Sequence, residues 1–263
     1  MRRLAAAALG AVLLAGCGSS GSPAVSALRD TAKKLDDVRS ARLDLRLSAE
    51  SPAAEGPVGF ALKGPFALPE KAGLPVAELQ VTELRGARTT TATFVSTGQR
   101  AYVVRNGRVT ALPGSGGVDV GGEGGGLGSL RIDHWLRDPK LSDGGSVGGT
   151  DTDHVTARLD VAAAFDDLGR LGERLGTSAL AGLRPLDARS RAALTKAAAS
   201  SAIEVWTGKK DRLLRRLVLR VTLAAGDRLP ATLRSLAPVT LSLSLDLSAV
   251  NEPVHVDPPK EQS

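Results

Sequence analysis

The segment Val239–Leu247 alternates strictly, with Val239, Leu241, Leu243, Leu245 and Leu247 in every second place and Thr240, Ser242, Ser244 and Asp246 between them. Side chains of an extended chain point alternately to opposite faces, so this spacing predicts a strand with one apolar and one wetted face. The same period recurs where Leu43, Leu45 and Leu47 alternate with Arg42, Asp44, Arg46 and Ser48, and again at Val155, Ala157, Leu159 and Val161. Shorter strands are predicted at Val58–Leu62, Val76–Leu84, Thr91–Ser96, Ala101–Arg105, Val109–Leu112, Ile203–Thr207 and Leu217–Leu223. Gly64-Pro65, Gly73, Gly86 and Gly98 read as punctuation, and Asn106-Gly107 is a two-residue hairpin signal. Short turns between successive strands require antiparallel pairing, because parallel neighbours need long crossovers.

Helical spacing appears in four places. Val25, Leu28, Ala32, Leu35 and Val38 fall three or four apart, ending at Ser40. Ile132, Trp135 and Leu136 predict a short helix stopping before Pro139. Asp160 is placed to cap a helix to about Leu175, with Val161, Phe165, Leu168, Leu171 and Leu175 on one face. Leu183–Ser201 reads as an alanine-rich helix with Asp187 near its start. Together these predict an α+β fold: a large antiparallel sheet with a few helices on one face. Gly114–Gly128 holds nine glycines in fifteen residues. Such a stretch buries little side-chain surface and is costly to order, so a mobile loop is expected there rather than a domain boundary.

The first residues carry an address. Met1-Arg2-Arg3 is basic, Leu4–Leu14 is uninterrupted apolar chain, and Leu14-Ala15-Gly16-Cys17 closes it with small residues. That order is the grammar of a signal peptide, covering residues 1–16. The apolar run has about half of the roughly twenty residues needed to span a bilayer. Leu14-Ala15-Gly16-Cys17 resembles the lipobox of bacterial lipoproteins, which implies acylation of Cys17 and an anchor on the extracytoplasmic side of the cell membrane. Gly18–Pro23 then forms a flexible tether, and residues 24–263 are expected to form one domain. Cys17 is the only cysteine, so neither a disulfide nor a cysteine-based metal site is available. The net charge of +6 falls to +4 without Arg2 and Arg3. Scattered basic residues and 3% aromatic content argue against nucleic-acid binding, which needs stacking platforms.

Catalytic patterns are weak. His134, His154 and His255 show no zinc-site spacing, and no cofactor or metal is expected. Gly144-Gly145-Ser146-Val147-Gly148 fits G-x-S-x-G, but a nucleophile elbow needs a strand before the serine and a helix directly after it. Gly16–Gly21 fits G-x-G-x-x-G only within the lipobox and tether. Asp151 and Asp153 offer too few oxygen ligands for calcium, and Asp166-Asp167 reads as part of a solvated helix face. What distinguishes the strands is an aliphatic face without polar handles, which suits either dry packing beneath the helices or alkyl chains.

In order along the chain, several features resemble the LppX/LprG family of actinobacterial lipoproteins, which share a fold with the LolA and LolB carriers. These are the lipobox, the helix Val25–Val38, the strand Ala41–Ser48, and Thr93-Phe94-Val95 running into the Ala101–Gly107 hairpin. Val147–Val155 is similar to the segment entering the family's central strand, and Asn251–Pro259 to its closing strand. The resemblance implies a curved antiparallel half-barrel wrapped around helices, with a hydrophobic cavity for an acylated lipid or glycolipid. Candidate lining residues are Leu43, Leu45, Leu47, Leu217, Leu219, Val221, Leu241, Leu243 and Leu245. It implies a monomeric carrier engaged in lipid transfer, with an envelope interaction or sensor role on the same fold as the alternative.

Overall fold

The computed structural model describes residues 22–70, 73–112, 132–175, 187–225 and 238–260. Helix α1 (Pro23–Lys33) opens the fold. Ser22 caps it by accepting a hydrogen bond from the Val25 N–H at 3.3 Å, and Pro23 sits in the first turn, where its missing N–H costs nothing. Ala24, Ala27, Leu28 and Thr31 form its buried stripe. The helical spacing predicted as far as Val38 resolves into α1 followed by a 3-10 turn at Leu35–Asp37.

Eleven strands then build one antiparallel sheet. They are β1 (Ser40–Glu50), β2 (Val58–Ala67), β3 (Val76–Arg85), β4 (Arg88–Thr97), β5 (Ala101–Arg105), β6 (Arg108–Ala111), β7 (Leu136–Val147), β8 (Thr150–Leu159), β9 (Ala198–Gly208), β10 (Leu214–Leu223) and β11 (Val239–Ser248). Their spatial order is β6-β5-β4-β3-β2-β1-β11-β10-β9-β8-β7. Two meanders therefore lie side by side, joined where β1 pairs with β11. Between β8 and β9 come α2 (Val161–Leu175) and α3 (Ala188–Ala197). This is the expected α+β architecture, an open antiparallel half-barrel with its helices against one face.

The core explains why the helices sit where they do. Leu28 and Leu35 of the first helical segment, Val161 and Ala164 of α2, and Leu194 of α3 pack with Val155, Ile203, Val205, Leu217, Leu219 and Val221. Asp160 caps α2 as expected, accepting from the Ala163 N–H at 3.1 Å, and Asp187 caps α3 through the Ser190 N–H at 2.6 Å. Burial opposes ionisation of Asp160, but the Ala163 N–H and the Arg137 guanidinium outweigh it and hold this carboxyl below its usual range. The Ser190 N–H does the same for Asp187. Lowered folded values mean that this stabilisation is present above about pH 4 and is lost as the pH falls through them. The difference in melting temperature between wild type and Asp160→Asn is therefore expected to be constant near neutrality and to shrink below about pH 4. A difference that grows on acidification would refute the assignment.

Several elements depart from the sequence expectation. Gly64-Pro65 does not end β2 but lies inside it. Pairing with β3 skips these two residues and resumes in the same register at Phe66 opposite Ala77. Leu136–Val147 is a strand, preceded by a 3-10 turn at Ile132–Trp135 in place of the predicted helix. Its Pro139 and register shifts near Arg137 and Asp143 disguised it, and an edge strand tolerates both. The segment entering β8 leads to the penultimate strand, not a central one.

Asn251–Pro259 is not a strand. Instead Asn251 ties the chain's two ends together: its Oδ1 accepts from the Arg39 N–H at 2.8 Å, and its Nδ2 donates to the Asp37 carbonyl at 3.0 Å. The residues of the Gly114–Gly128 loop lie outside those described.

Asp166 and Asp167, expected on a solvated helix face, are buried. Asp166 pairs with Arg191 of α3 at 2.5 Å. Asp167 accepts from the indole N–H of Trp135 at 2.8 Å and pairs with Arg170. Both therefore hold α2 to its neighbours. Asp167→Ala leaves a buried indole donor unsatisfied, and the expected cost is about 1–3 kcal/mol, read as a lower melting temperature. An unchanged melting temperature would show that this bond contributes nothing.

Candidate functional site

Directly paired residues of an antiparallel sheet share a face. Leu45 lies opposite Leu245, which lies opposite Leu217. Leu47, Leu243 and Leu219 form the next row, and Ala49, Leu241 and Val221 the one after. Leu43 shares this face with Leu45 two residues on. All nine residues singled out in the sequence thus occupy one face, the face that carries the helices. They divide by burial. Leu217, Leu219, Val221 and Leu245 belong to the packed core. Leu43, Leu45, Leu241 and Leu243 are partly buried and pack against its margin, whereas Leu47 is partly buried outside it.

The apolar face does not stop at β1. Leu45 pairs with Leu62, which pairs with Val81, and Leu47 pairs with Phe60. Leu79 faces Phe94, which faces Val103. Phe60, Leu62, Leu79, Val81, Phe94 and Val103 are each partly buried, and none belongs to the packed core or its margin. An aliphatic and aromatic surface therefore extends across β1–β5 beyond the core made by the described helices. Sequence reasoning passed over these six residues because β3 carries Glu78, Gln80 and Glu83 among its apolar positions, and Val103-Val104 gives no alternation. The signal that finds them is register: each continues a row that begins at a leucine of β1. Phe60, Phe66 and Phe94 all stand on this inner face, and Phe165 of α2 packs against the core from the other side. Every phenylalanine of the chain thus serves the interior.

An open cavity of ≈ 750 Å³ borders α3. That volume falls within the roughly 300–1,000 Å³ of small-molecule sites. Its described wall is one stripe of α3, formed by Ala188, Arg191, Ala192, Thr195 and Lys196, and includes none of the nine strand residues.

The opposite face of the sheet is ionic. His154 stacks on Trp206 with centroids 4.1 Å apart, and Arg216 lies over the same ring from the neighbouring strand at 5.6 Å. His154 Nε2 meets Glu204 at 3.0 Å, Arg216 pairs with Asp246 at 2.5 Å, and Lys63 with Asp44 at 2.9 Å. Neighbours on both sides thus occupy the indole of Trp206. His154, one of the three histidines without zinc-site spacing, is a structural partner of this row. Ser146 pairs with Asp151 across a turn at Gly148-Gly149, so a strand follows it rather than the helix an elbow requires. Among the described residues, no three His, Asp or Glu side chains converge to hold a metal. Among the same residues, no helix is long and apolar enough to cross a membrane. Cys17 lies outside the described residues.

No protein-family model and no curated protein matches the sequence. Several solved structures are similar, two of them mycobacterial proteins. LprF from Mycobacterium bovis is 15% identical, with 90% of this chain and 98% of that one covered and a TM-score of 0.53. The lipoprotein LppX from Mycobacterium tuberculosis is 14% identical, with 89% and 97% covered and a TM-score of 0.47. At such identity the likeness to LprF concerns architecture alone. An opening helix, a first meander, and a second meander with α2 and α3 inserted between β8 and β9, each set by the residues described above, give this chain the fold of the LppX/LprG lipoproteins.

Proposed function

We propose that the protein is a membrane-tethered lipoprotein that holds the acyl chains of a lipid or glycolipid against the inner face of its sheet and takes part in lipid transfer in the cell envelope. The observation that carries this reading is the apolar surface on β1–β5, where Leu47, Phe60, Leu62, Val81 and Phe94 continue the core face beyond the packed core. The lipobox ending at Cys17 supports the anchor. Moving a methylene out of water gains about 0.8 kcal/mol, so an acyl chain does not cross water unaided. Exchange between a bilayer and an apolar face trades one hydrocarbon setting for another, and needs no nucleotide.

The test is native mass spectrometry of the mature chain carrying Cys17→Ser, expressed in a lipid-containing host. Co-purifying acylated species are expected, together with uptake of an added fluorescent fatty acid. Lipid-free protein that takes up no acylated ligand would overturn the proposal. One observation favours a second reading, an envelope interaction or sensor module without cargo. Leu217, Leu219, Val221 and Leu245, nearly half of the residues singled out from the sequence, are closed into the core. The lipid-free result would select it.

A further inference from the structure

At two neighbouring turns of the sheet, arginine faces arginine. Arg85 of β3 is directly opposite Arg88 of β4, and Arg105 of β5 is directly opposite Arg108 of β6. Like charges placed directly across a ladder destabilise it, so the arrangement is a local cost repeated twice. Alternation places all four on the inner face: Arg85 continues the row of Leu79 and Val81, and Arg105 that of Val103. All four are exposed. Glu83 pairs with Arg85. Among the described residues, Arg88, Arg105 and Arg108 have no acidic partner at ion-pair distance, and the other carboxylates near these turns are Glu50 and Glu55. At the opposite end of the sheet Arg100 and Lys210 are likewise exposed without an acidic partner at ion-pair distance among the described residues. Lys34, Lys209, Arg212 and Arg215 there, by contrast, are each matched by an aspartate.

The N-terminal end of α1 points toward the arginine end. Thr31 Oγ1 donates to Thr207 Oγ1 at 2.7 Å, and the Lys34 ammonium lies close enough to Asp211 of the β9–β10 turn to feel its charge. These contacts fix the C-terminal end of α1 at the far end of the sheet. From there α1 contacts β9, β8, β7 and the 3-10 turn at Ile132–Trp135. That turn leads into the start of β7, at the same end as the β3–β4 and β5–β6 turns. Ser22 lies five positions after Cys17, a reach of at most about 18 Å.

We infer that the β3–β4 and β5–β6 turns form a docking surface for an anionic bilayer, with Arg85, Arg88, Arg105 and Arg108 meeting lipid phosphates and presenting the apolar inner face to the leaflet. The inference rests on the reading that Cys17 is the membrane anchor, and it assigns the orientation in which that anchor holds the domain. Four dispersed, exposed guanidinium groups suit a field of headgroups rather than one enclosed headgroup.

The test separates the two readings. The mature chain with Cys17→Ser is mixed with vesicles of phosphatidylcholine alone, or with about one-third phosphatidylglycerol, and binding is measured by sedimentation. Binding to the anionic vesicles alone is expected, weakening sharply as salt rises from about 0.05 to about 0.5 M. The R85Q/R88Q/R105Q/R108Q variant is expected to lose at least about tenfold in affinity, each nearby cation contributing to the attraction. Its circular dichroism and its co-purifying lipid should be unchanged, because removing like-charge pairs relieves the ladder. Equal binding to neutral vesicles, or a variant that binds like wild type, would overturn the docking surface. Loss of lipid cargo in wild type and variant alike would count against the carrier reading and leave the docking result standing.

Discussion

Gly64→Ala is expected to lower the melting temperature by roughly 8–16 °C, or to prevent folding altogether. An added Cβ would lie 2.0 Å from the backbone carbonyl oxygen of Glu78 on β3, far inside contact distance. That atom is held in the sheet and cannot swing away as a side-chain tip would. The residue also sits at φ +146°, a conformation that an L side chain rarely adopts. Backbone strain of this kind costs about 1–3 kcal/mol. Forcing β2 from β3 adds lost ladder bonds, so the total is expected to exceed about 4 kcal/mol, against a typical stability of about 5–15 kcal/mol. Gly149→Ala is the control. It carries positive φ as well, +80°, but an added Cβ meets nothing within 4 Å. Its expected cost is only the left-handed penalty, about 1–2 kcal/mol. Equal melting temperatures for the two variants would show that the close approach at Glu78 relaxes cheaply.

Leu62→Asp is expected to cut acyl-chain binding at least about tenfold while leaving the fold in place. Leu62 stands between Leu45 and Val81 on the inner face, partly buried and outside the packed core. A carboxylate there keeps water as long as the face is empty, and the stability cost is expected to stay near 1–2 kcal/mol. With an acyl chain laid over it, the charge must be stripped of water without a partner, which costs several kcal/mol. The adjacent substitution Ala61→Asp changes the other face, opposite Arg46 and Thr82, and should leave binding unaltered. Leu219→Asp is uninformative, because it places a charge in the closed core and unfolds the domain. Uptake of fluorescent fatty acid measures all three, with melting temperature in parallel. Unchanged uptake by Leu62→Asp would remove the β1–β5 face from the site.

How much of this was legible in the sequence varies with the kind of signal. The leucine alternations of β1 and β11 marked both strands and their buried face, because one side of each is covered and the other is wet. Asp160 and Asp187 marked two helix starts through capping chemistry, which acts over three residues. β7 was hidden, since an edge strand is free to carry Pro139 and Gly144-Gly145, residues that mark a turn anywhere else. Gly64-Pro65 misled for a related reason: a glycine required by close strand approach looks the same as one required by a turn. The division of the nine lining residues was not legible at all. Whether Leu47 or Leu219 is covered depends on where separate helices come to rest on the finished sheet, and periodicity carries no information about that. The extension onto β2–β5 depends on register, which appears only once strands are paired.

The pairing of β1 with β11 sets an order of assembly. Leu45 and Leu245 are partners separated by roughly 200 residues of chain, whereas most other strand pairs are closed by short turns. Closing so long a loop costs about 3–4 kcal/mol more entropy than closing a turn of a few residues. Each meander can form from local contacts as soon as its own residues are available. The seam between them must wait for the last strand to be made, and contacts at such separation are slow to find. Until then the first meander exposes β1 as an unpaired edge bearing a row of leucines. The window between the completion of the first meander and the arrival of Val239–Ser248 is therefore when this chain is most open to pairing with another copy of itself.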